Sequence, residues 1–212
     1  DTTSASLTVR DTFAAVSYAN NDGTASWSTA WVDADNNPTA GNVRVTGGEL
    51  VLSTFLGTES VYRQVDLGAA TGAKLSFSYD NQLGLLGSVS LQASNDGGAT
   101  YTTLDTFSSA NAGAGTYSTD LSAYLSSDTR IRFVTSGTLL GGSFHVDNVE
   151  VAYATPKTSV AEPITLVNVM RMHFNVPHGW VRSRSMNGSR RLAAVSACAA
   201  KTGGSCTLRR MM

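Results

Sequence analysis

The first 155 residues alternate apolar and polar side chains over many short segments. In residues 74–79, for example, Leu75, Phe77 and Tyr79 alternate with one lysine and two serines. Successive side chains of a strand point to opposite faces, so this alternation predicts strands with one buried and one solvated face. Such strands are typical of antiparallel sheets packed face to face. The pattern predicts strands near residues 6–13, 42–46, 49–54, 59–67, 73–80, 88–94, 100–107, 115–120, 129–135 and 143–153.

Glycine-rich turns separate the predicted strands. Gly47 and Gly48 lie between two of them, and the run Asn95-Asp96-Gly97-Gly98 lies between two others. Gly-Gly and Asp-Gly pairs readily adopt the positive φ angles that tight hairpins require. Many short strands without a convincing helix predict an all-β fold over residues 1–155, either a sandwich or a barrel, and the alternation favours an antiparallel β-sandwich.

The last predicted strand contains an irregularity. Its inward positions are Phe144 and Val146 at first, and then Val149 and Val151, so the phase slips by one residue at the intervening Asp-Asn pair. A β-bulge inserts one residue into a strand in this way and redirects a side chain. We therefore predict a bulge at Asp147 and Asn148.

The composition changes after residue 155. Residues 156–163 are predicted to be a linker, and residues 164–212 form a basic C-terminal tail. Within the tail, residues 164–176 alternate without interruption and predict one long strand, while residues 190–200 predict a short helix. An extra strand requires a partner, which is the domain's own sheet, another module or the edge of a neighbouring molecule. The apolar positions predicted to mediate self-association are Ile164, Leu166, Met170, Met172 and Phe174.

The charges are distributed unevenly along the chain. Residues 1–155 carry 15 acidic and 6 basic residues, whereas residues 156–212 carry 1 acidic and 9 basic residues. The acidic part repels phosphates, so no nucleic-acid partner is predicted for it. An acidic domain and a basic tail attract each other, within one molecule or between copies, and head-to-tail contacts of this type continue into filaments unless they close.

The remaining compositional features are few. Cys198 and Cys206 both lie in the tail, where they fit either a small disulfide loop or two free thiols. Together with His173 and His178 they match no zinc-binding spacing. No apolar run is long enough for a membrane span. The start without Met fits either a mature secreted form or an arbitrary boundary.

An ordered set of motifs runs through the first 155 residues. The motifs are Asp11-Thr12-Phe13, residues 27–31, residues 62–67, residues 93–98 with Tyr101, residues 129–133 and residues 144–149. With these motifs the chain resembles, over about residues 8–154, the MAM-like, galactose-binding-like jelly-roll modules of large secreted bacterial proteins, adhesins and exoenzymes. This resemblance implies a jelly-roll β-sandwich and a secreted or cell-surface location.

The same resemblance implies a structural calcium ion. An acidic residue of the first strand and the aspartate of the last strand share the ion in such modules, and the matching positions here are Asp11 and Asp147. Calcium takes six to eight oxygen ligands, so Asn21, Asp22 and Asp33 are further candidates. In the alternative interpretation, the two aspartates accept hydrogen bonds from backbone amides.

The sequence offers candidates for binding but not for catalysis. The acidic part contains one histidine, His145, and no nucleophile elbow or zinc cluster, so no enzyme activity is predicted. Trp27, Trp31 and Tyr18 are candidate stacking platforms for a sugar; alternatively, the tryptophans close one end of the sandwich. Leucines in two glycine-rich loops, at 83–86 and 139–140, are either contact surface or plugs over the core.

These features favour a non-catalytic extracellular adhesion or assembly module. In this interpretation the C-terminal strand joins copies into a filament or surface layer, and the partners are other copies or another extracellular protein. The alternative is a carbohydrate-binding accessory module of a secreted enzyme.

Overall fold

The computed structural model describes residues 4–55 and 57–156. This part of the chain contains ten β-strands and two short 3₁₀ helices, Ser109–Asn111 and Ser122–Tyr124. The strands are β1 (Ala5–Asp11), β2 (Val43–Thr46), β3 (Glu49–Ser53), β4 (Ser60–Val65), β5 (Gly72–Leu83), β6 (Ser88–Ser94), β7 (Thr102–Ser108), β8 (Gly113–Asp120), β9 (Thr129–Ser136) and β10 (Gly142–Thr155).

The strands form two antiparallel sheets. Sheet A has the order β2-β3-β10-β5-β8, and β1 also pairs with β10. Sheet B has the order β4-β9-β6-β7. On one side of the long strand β10, β3 pairs with residues 143–146 and β1 with residues 149–155, while β5 occupies the other side.

The two sheets enclose one apolar core, as the alternation predicts. Leu75 and Phe77 of sheet A and Leu91, Ile131 and Phe133 of sheet B are at most 3% exposed and belong to the same buried cluster. Aromatic contacts cross the interior; the rings of Phe77 and Phe133 meet edge to face with centroids 5.4 Å apart. The predicted antiparallel β-sandwich is confirmed, because alternating side chains of strands in both sheets, such as β5, β6 and β9, point into this core.

The predicted bulge is also present. The register between β10 and β5 shifts between Asp147 and Glu150, and Asn148 has a φ of 53°. Positive φ is uncommon for a residue with a side chain, although asparagine tolerates it better than most. The shift keeps Val146 and Val149 both buried, so the core face stays continuous across the irregularity.

The predictions for the tail lie outside the described residues. They comprise most of the linker 156–163, the strand 164–176 with its self-association positions, and the helix 190–200. Within residues 4–55 and 57–156, no helix has the length and apolarity needed to cross a membrane.

Candidate functional site

The predicted aromatic platform is wrong. Trp27, Trp31 and Tyr18 are only 7%, 0% and 4% exposed, so none presents a ring face to a ligand. The Trp31 Nε1–H donates to Asp11 Oδ2 at 3.0 Å, and the Tyr18 hydroxyl donates to Asp33 Oδ2 at 2.9 Å. These side chains belong to the buried core cluster, and the segment that carries the tryptophans pairs with strand β4 through Val32 and Tyr62.

A buried ion pair lies beneath these rings. Arg63 Nη1 donates to Asp11 Oδ2 at 2.5 Å, and both side chains are almost completely buried. The other guanidinium N–H groups donate to the carbonyl oxygens of Thr29 and Asn20. Burial raises the pKa of Asp11, an effect that its hydrogen bonds and the nearby Arg63 oppose. Burial also disfavours the charged form of Arg63 and lowers its pKa to about 10.

The five candidate calcium ligands are engaged in hydrogen bonds within the domain. Asp11 already accepts from Arg63, from Trp31 and from the backbone N–H of Phe13. Among the described residues, no group of three or more acidic, histidine or cysteine side chains is arranged to hold a metal. Calcium binding therefore stays a prediction. The other four candidates are engaged as well: Asn21 with the Trp27 amide, Asp22 with Thr12, Asp33 with Tyr18 and Asn36, and Asp147 with Asn148.

The outward surface of sheet B carries a set of polar and aromatic side chains that we call the Tyr–Arg face. Because Ile131 and Phe133 point into the core, the alternating arginines of β9 point outward. In the strand register, Tyr62 and Gln92 both lie opposite Arg132. The Tyr–Arg face consists of Tyr62, Gln64, Gln92, Tyr101, Arg130 and Arg132.

Each arginine of this face is held by a ring and by an amide. The guanidinium carbon of Arg132 lies 3.4 Å from the ring centroid of Tyr101, and that of Arg130 lies 4.4 Å from the ring centroid of Tyr62. Arg132 Nε and Nη2 donate to Gln92 Oε1 at 2.9 and 2.5 Å. Arg130 Nε donates to Gln64 Oε1 at 2.9 Å. The two guanidinium planes are therefore oriented before any ligand arrives.

Part of each guanidinium remains open. Arg132 Nη1 and both terminal nitrogens of Arg130 have no hydrogen-bond partner within the part of the chain that the structure describes. They are not among its buried unpartnered atoms, so they are accessible to solvent. Neither arginine has a carboxylate oxygen within 4.0 Å among these residues. The face therefore presents directed N–H donors and unneutralised positive charge.

The β6–β7 turn positions Tyr101 over Arg132. Asp96 accepts hydrogen bonds from the Thr100 backbone N–H and hydroxyl and from the Ser94 hydroxyl, which hold the pKa of Asp96 far below its usual range. Gly98, with a φ of 89°, lies next to the side chains of Arg130 and Tyr101. A Cβ atom at this position would be 2.7 Å from both Arg130 Nη1 and the Tyr101 hydroxyl. The predicted turn is thus part of the site.

The residues of the Tyr–Arg face were not among the binding residues predicted from the sequence. A signal was present, because Arg130 and Arg132 occupy the outward positions of a clearly alternating strand. Their contacts with Tyr62, Gln64 and Gln92 depend on the order of strands in sheet B, which the alternation does not specify.

A shallow polar groove lies on the outward surface of sheet A. It has a volume of about 470 Å³ and crosses β1, β5, β8 and β10. Asn148 enters it from the bulge and accepts a hydrogen bond from Arg10 Nη2. Its polar lining includes Arg10, Lys74, Ser76, Ser78, Asn148 and Glu150.

A Ser–His–Glu network lies elsewhere on the same sheet. Ser143 Oγ is 3.0 Å from His145 Nε2, and His145 Nδ1 is 2.7 Å from Glu49 Oε2. This is the order of groups in a serine hydrolase relay. However, Ser143 lies inside β10, where β3 and β5 pair with the backbone on both sides. The backbone N–H groups around Ser143 donate to neighbouring strands, so they are not available to stabilise an oxyanion. We therefore assign the network no reaction.

Three glycine-rich loops meet at one end of the sandwich. The Thr54 and Gly84 amides donate to the carbonyl oxygens of Gly142 and Gly141, and Gly57 pairs with Gly137. Leu83 is buried in the core, whereas five other apolar side chains of these loops are 51–84% exposed. We call this set the apolar end: Phe55, Leu85, Leu86, Leu139 and Leu140.

Comparisons with known proteins give similarities of fold at low identity. No family model and no curated protein sequence matches the chain. A family 29 carbohydrate-binding module is 16% identical and has a TM-score of 0.45, over 73% of this chain and 93% of that one. A cleaved adhesin domain of Lys-gingipain is 16% identical with a TM-score of 0.42, over 69% of this chain and 99% of that one. At these identities the ligand of a neighbour does not transfer to this chain, and the MAM-like resemblance is not confirmed.

Proposed function

We propose that this domain is a non-catalytic extracellular binding module that binds a glycan on the Tyr–Arg face. The observation that carries the proposal is the pair of oriented guanidinium groups, each stacked on a tyrosine and bonded to a glutamine. The six side chains include no carboxylate, histidine or thiol, so the proposal involves binding without a reaction.

The chemistry of the face suits a hydroxyl-rich ligand. Sugar hydroxyls accept hydrogen bonds from N–H groups, and sugar C–H faces pack on flat aromatic or guanidinium planes. Preorganised side chains lose little rotamer entropy on binding, which favours affinity. Because the outward surface of a sheet is open on its sides, we expect an extended glycan and moderate affinity.

Substitution of single residues tests this proposal. The intact chain is screened on a glycan array, and each glycan that binds is then titrated by calorimetry. We expect Arg132→Ala and Tyr101→Ala to weaken binding at least about tenfold, the equivalent of roughly 1.4 kcal/mol.

Arg44→Ala is the matched control, because Arg44 is an outward arginine of β2 in the other sheet. Circular dichroism establishes that each variant is folded. Unchanged glycan affinity in an Arg130→Ala/Arg132→Ala variant would refute the proposed site.

We also propose that the apolar end mediates contact with a second copy of this chain. Residues 54–58, 84–87 and 137–141 contain no charged residue, whereas residues 1–155 as a whole are strongly acidic. Two copies repel each other least where their charge is lowest, and an uncharged contact desolvates no ion. The same patch on both copies would form a two-fold contact.

Light scattering of Leu85→Ser/Leu139→Ser should give a lower mass than the unmodified chain at equal concentration; equal masses would refute this contact.

A further inference from the structure

The charge of the Tyr–Arg face indicates what kind of glycan it accepts. We infer that the glycan carries a carboxylate, as a uronic acid does, and that Arg130 and Arg132 bind this group. The inference rests on the proposed function, because it names the ligand class of the same face. The arginines of this face differ from the buried Arg63 in having no carboxylate partner among the described residues.

The two arginines are neighbours without a counter-charge. They occupy positions 130 and 132 on one face of β9, which places their Cα atoms about 7 Å apart. Two like charges on one face of a strand repel each other, and neither has a carboxylate within 4.0 Å among the described residues. A ligand carboxylate between the guanidinium groups would remove this repulsion.

Neutral glutamines, rather than carboxylates, accept hydrogen bonds from both arginines of the face. The acidic part of the chain contains 15 carboxylate residues, and it pairs its buried Arg63 with Asp11. Gln64 and Gln92 instead hold the two arginines by neutral carbonyl oxygens. Asp128 is nearby, but it accepts a hydrogen bond from the Gln64 side-chain amide. The face therefore orients both guanidinium groups without neutralising them, which leaves their charge available for a ligand.

The geometry favours a single carboxylate over a dense polyanion. A guanidinium group binds the two oxygens of a planar carboxylate through parallel hydrogen bonds. The acidic domain around the face repels a chain of closely spaced phosphates. An isolated carboxylate within a hydroxyl-rich ligand avoids most of this repulsion. The remaining hydroxyls can bond to the polar side chains beside the arginines, which include Gln92 and its partner Thr103.

A matched pair of sugars tests the inference. The intact chain is titrated with a panel of otherwise neutral oligosaccharides that each contain one uronic acid, and with the carboxyl-reduced form of each, in which a hydroxymethyl group replaces the carboxylate. Binding is followed by calorimetry and by the NMR signals of the arginine Nε–H groups. We expect the acidic form to bind at least about tenfold more tightly than its reduced form. We also expect this preference to shrink as salt is added, because salt screens the attraction.

Three variants separate charge from geometry. Arg130→Gln/Arg132→Gln removes both charges and should abolish the preference for the acidic form. Arg130→Lys/Arg132→Lys keeps the charges but loses the planar fork, so it should retain only part of the preference. Arg44→Gln, on the other sheet, should leave the preference unchanged.

The possible outcomes distinguish the inference from the proposed function. Equal binding of the acidic and reduced forms on the Tyr–Arg face would overturn the inference and leave the glycan site standing. Binding of neither form, together with no binding on the array, would overturn both. A sulfated sugar without a carboxylate, or a single-stranded oligonucleotide, that bound as tightly as the acidic glycan or more tightly would overturn the carboxylate assignment.

Discussion

Replacing Asp11 with alanine tests the energetics of the buried ion pair. The Arg63 side chain is only 2% exposed, and the substitution leaves its guanidinium without its charged partner; it also removes the acceptor of the Trp31 Nε1–H. Loss of one partner from a buried pair costs about 3–5 kcal/mol, because the other charge stays in a poorly solvated site. For a chain of this size, such a loss corresponds to a fall in Tm of roughly 10 °C or more.

The opposite substitution should cost less. Arg63→Met leaves Asp11 buried, but a carboxyl group can become neutral by binding a proton, and burial already raises the pKa of Asp11. The Arg63 guanidinium stays charged at neutral pH, even with its pKa lowered to about 10. We therefore expect Asp11→Ala to destabilise the domain more than Arg63→Met, and the double variant to lose less stability than the two single variants added together.

Urea unfolding followed by tryptophan fluorescence measures these differences, because Trp27 and Trp31 lie against the pair. Asp22→Ala is the control; its carboxylate is exposed and, among the described residues, bonds only to Thr12, so its loss should cost no more than about 1 kcal/mol. A cost below about 1 kcal/mol for Asp11→Ala, or strict additivity in the double variant, would refute the reasoning. The same proteins address calcium: if Asp11 holds the ion, chelator lowers the Tm of the unmodified chain and not that of Asp11→Ala.

Three further predictions concern the turn and the tail. Gly98→Ala should weaken glycan binding by displacing Arg130 and Tyr101, whereas Gly47→Ala, also at positive φ but without a neighbour within 4 Å, should leave glycan affinity unchanged; calorimetry compares the two. The depressed pKa of Asp96 stabilises the folded state above the unfolded pKa of about 3.9, and this contribution is lost as the pH falls through the folded value. In Asp96→Asn, urea midpoints measured below about pH 4 should therefore fall less steeply with pH than in the unmodified chain, and parallel curves would contradict this role. Deletion of residues 157–212 should lower the number of chains per particle in light scattering if the predicted strand 164–176 joins copies, and an unchanged number of chains per particle would exclude that role.

The alternation along the chain was sufficient to predict the sandwich. Residues such as Leu75, Phe77 and Ile131 occupy every second position, and burying one face of each strand favours antiparallel sheets packed face to face. The turn at Asp96-Gly97 and the bulge at Asn148 were predictable for a related reason. Each is a local feature whose cause, a positive φ angle or a slip of one residue, lies within a few neighbouring residues.

The location of the candidate site depended on contacts between distant parts of the chain. The sequence identifies Trp27 and Trp31 as large aromatics but not as buried ones, because their burial comes from the Asp11–Arg63 pair and from Phe13 and Phe133. It likewise places Arg130 and Arg132 on the outward face of a strand without naming their neighbours. The order of strands in sheet B brings Gln64 and Gln92 to either side of them. Periodicity specifies which side of a strand faces the core, whereas only the tertiary fold specifies which strands are adjacent, and a binding surface is made of adjacent strands.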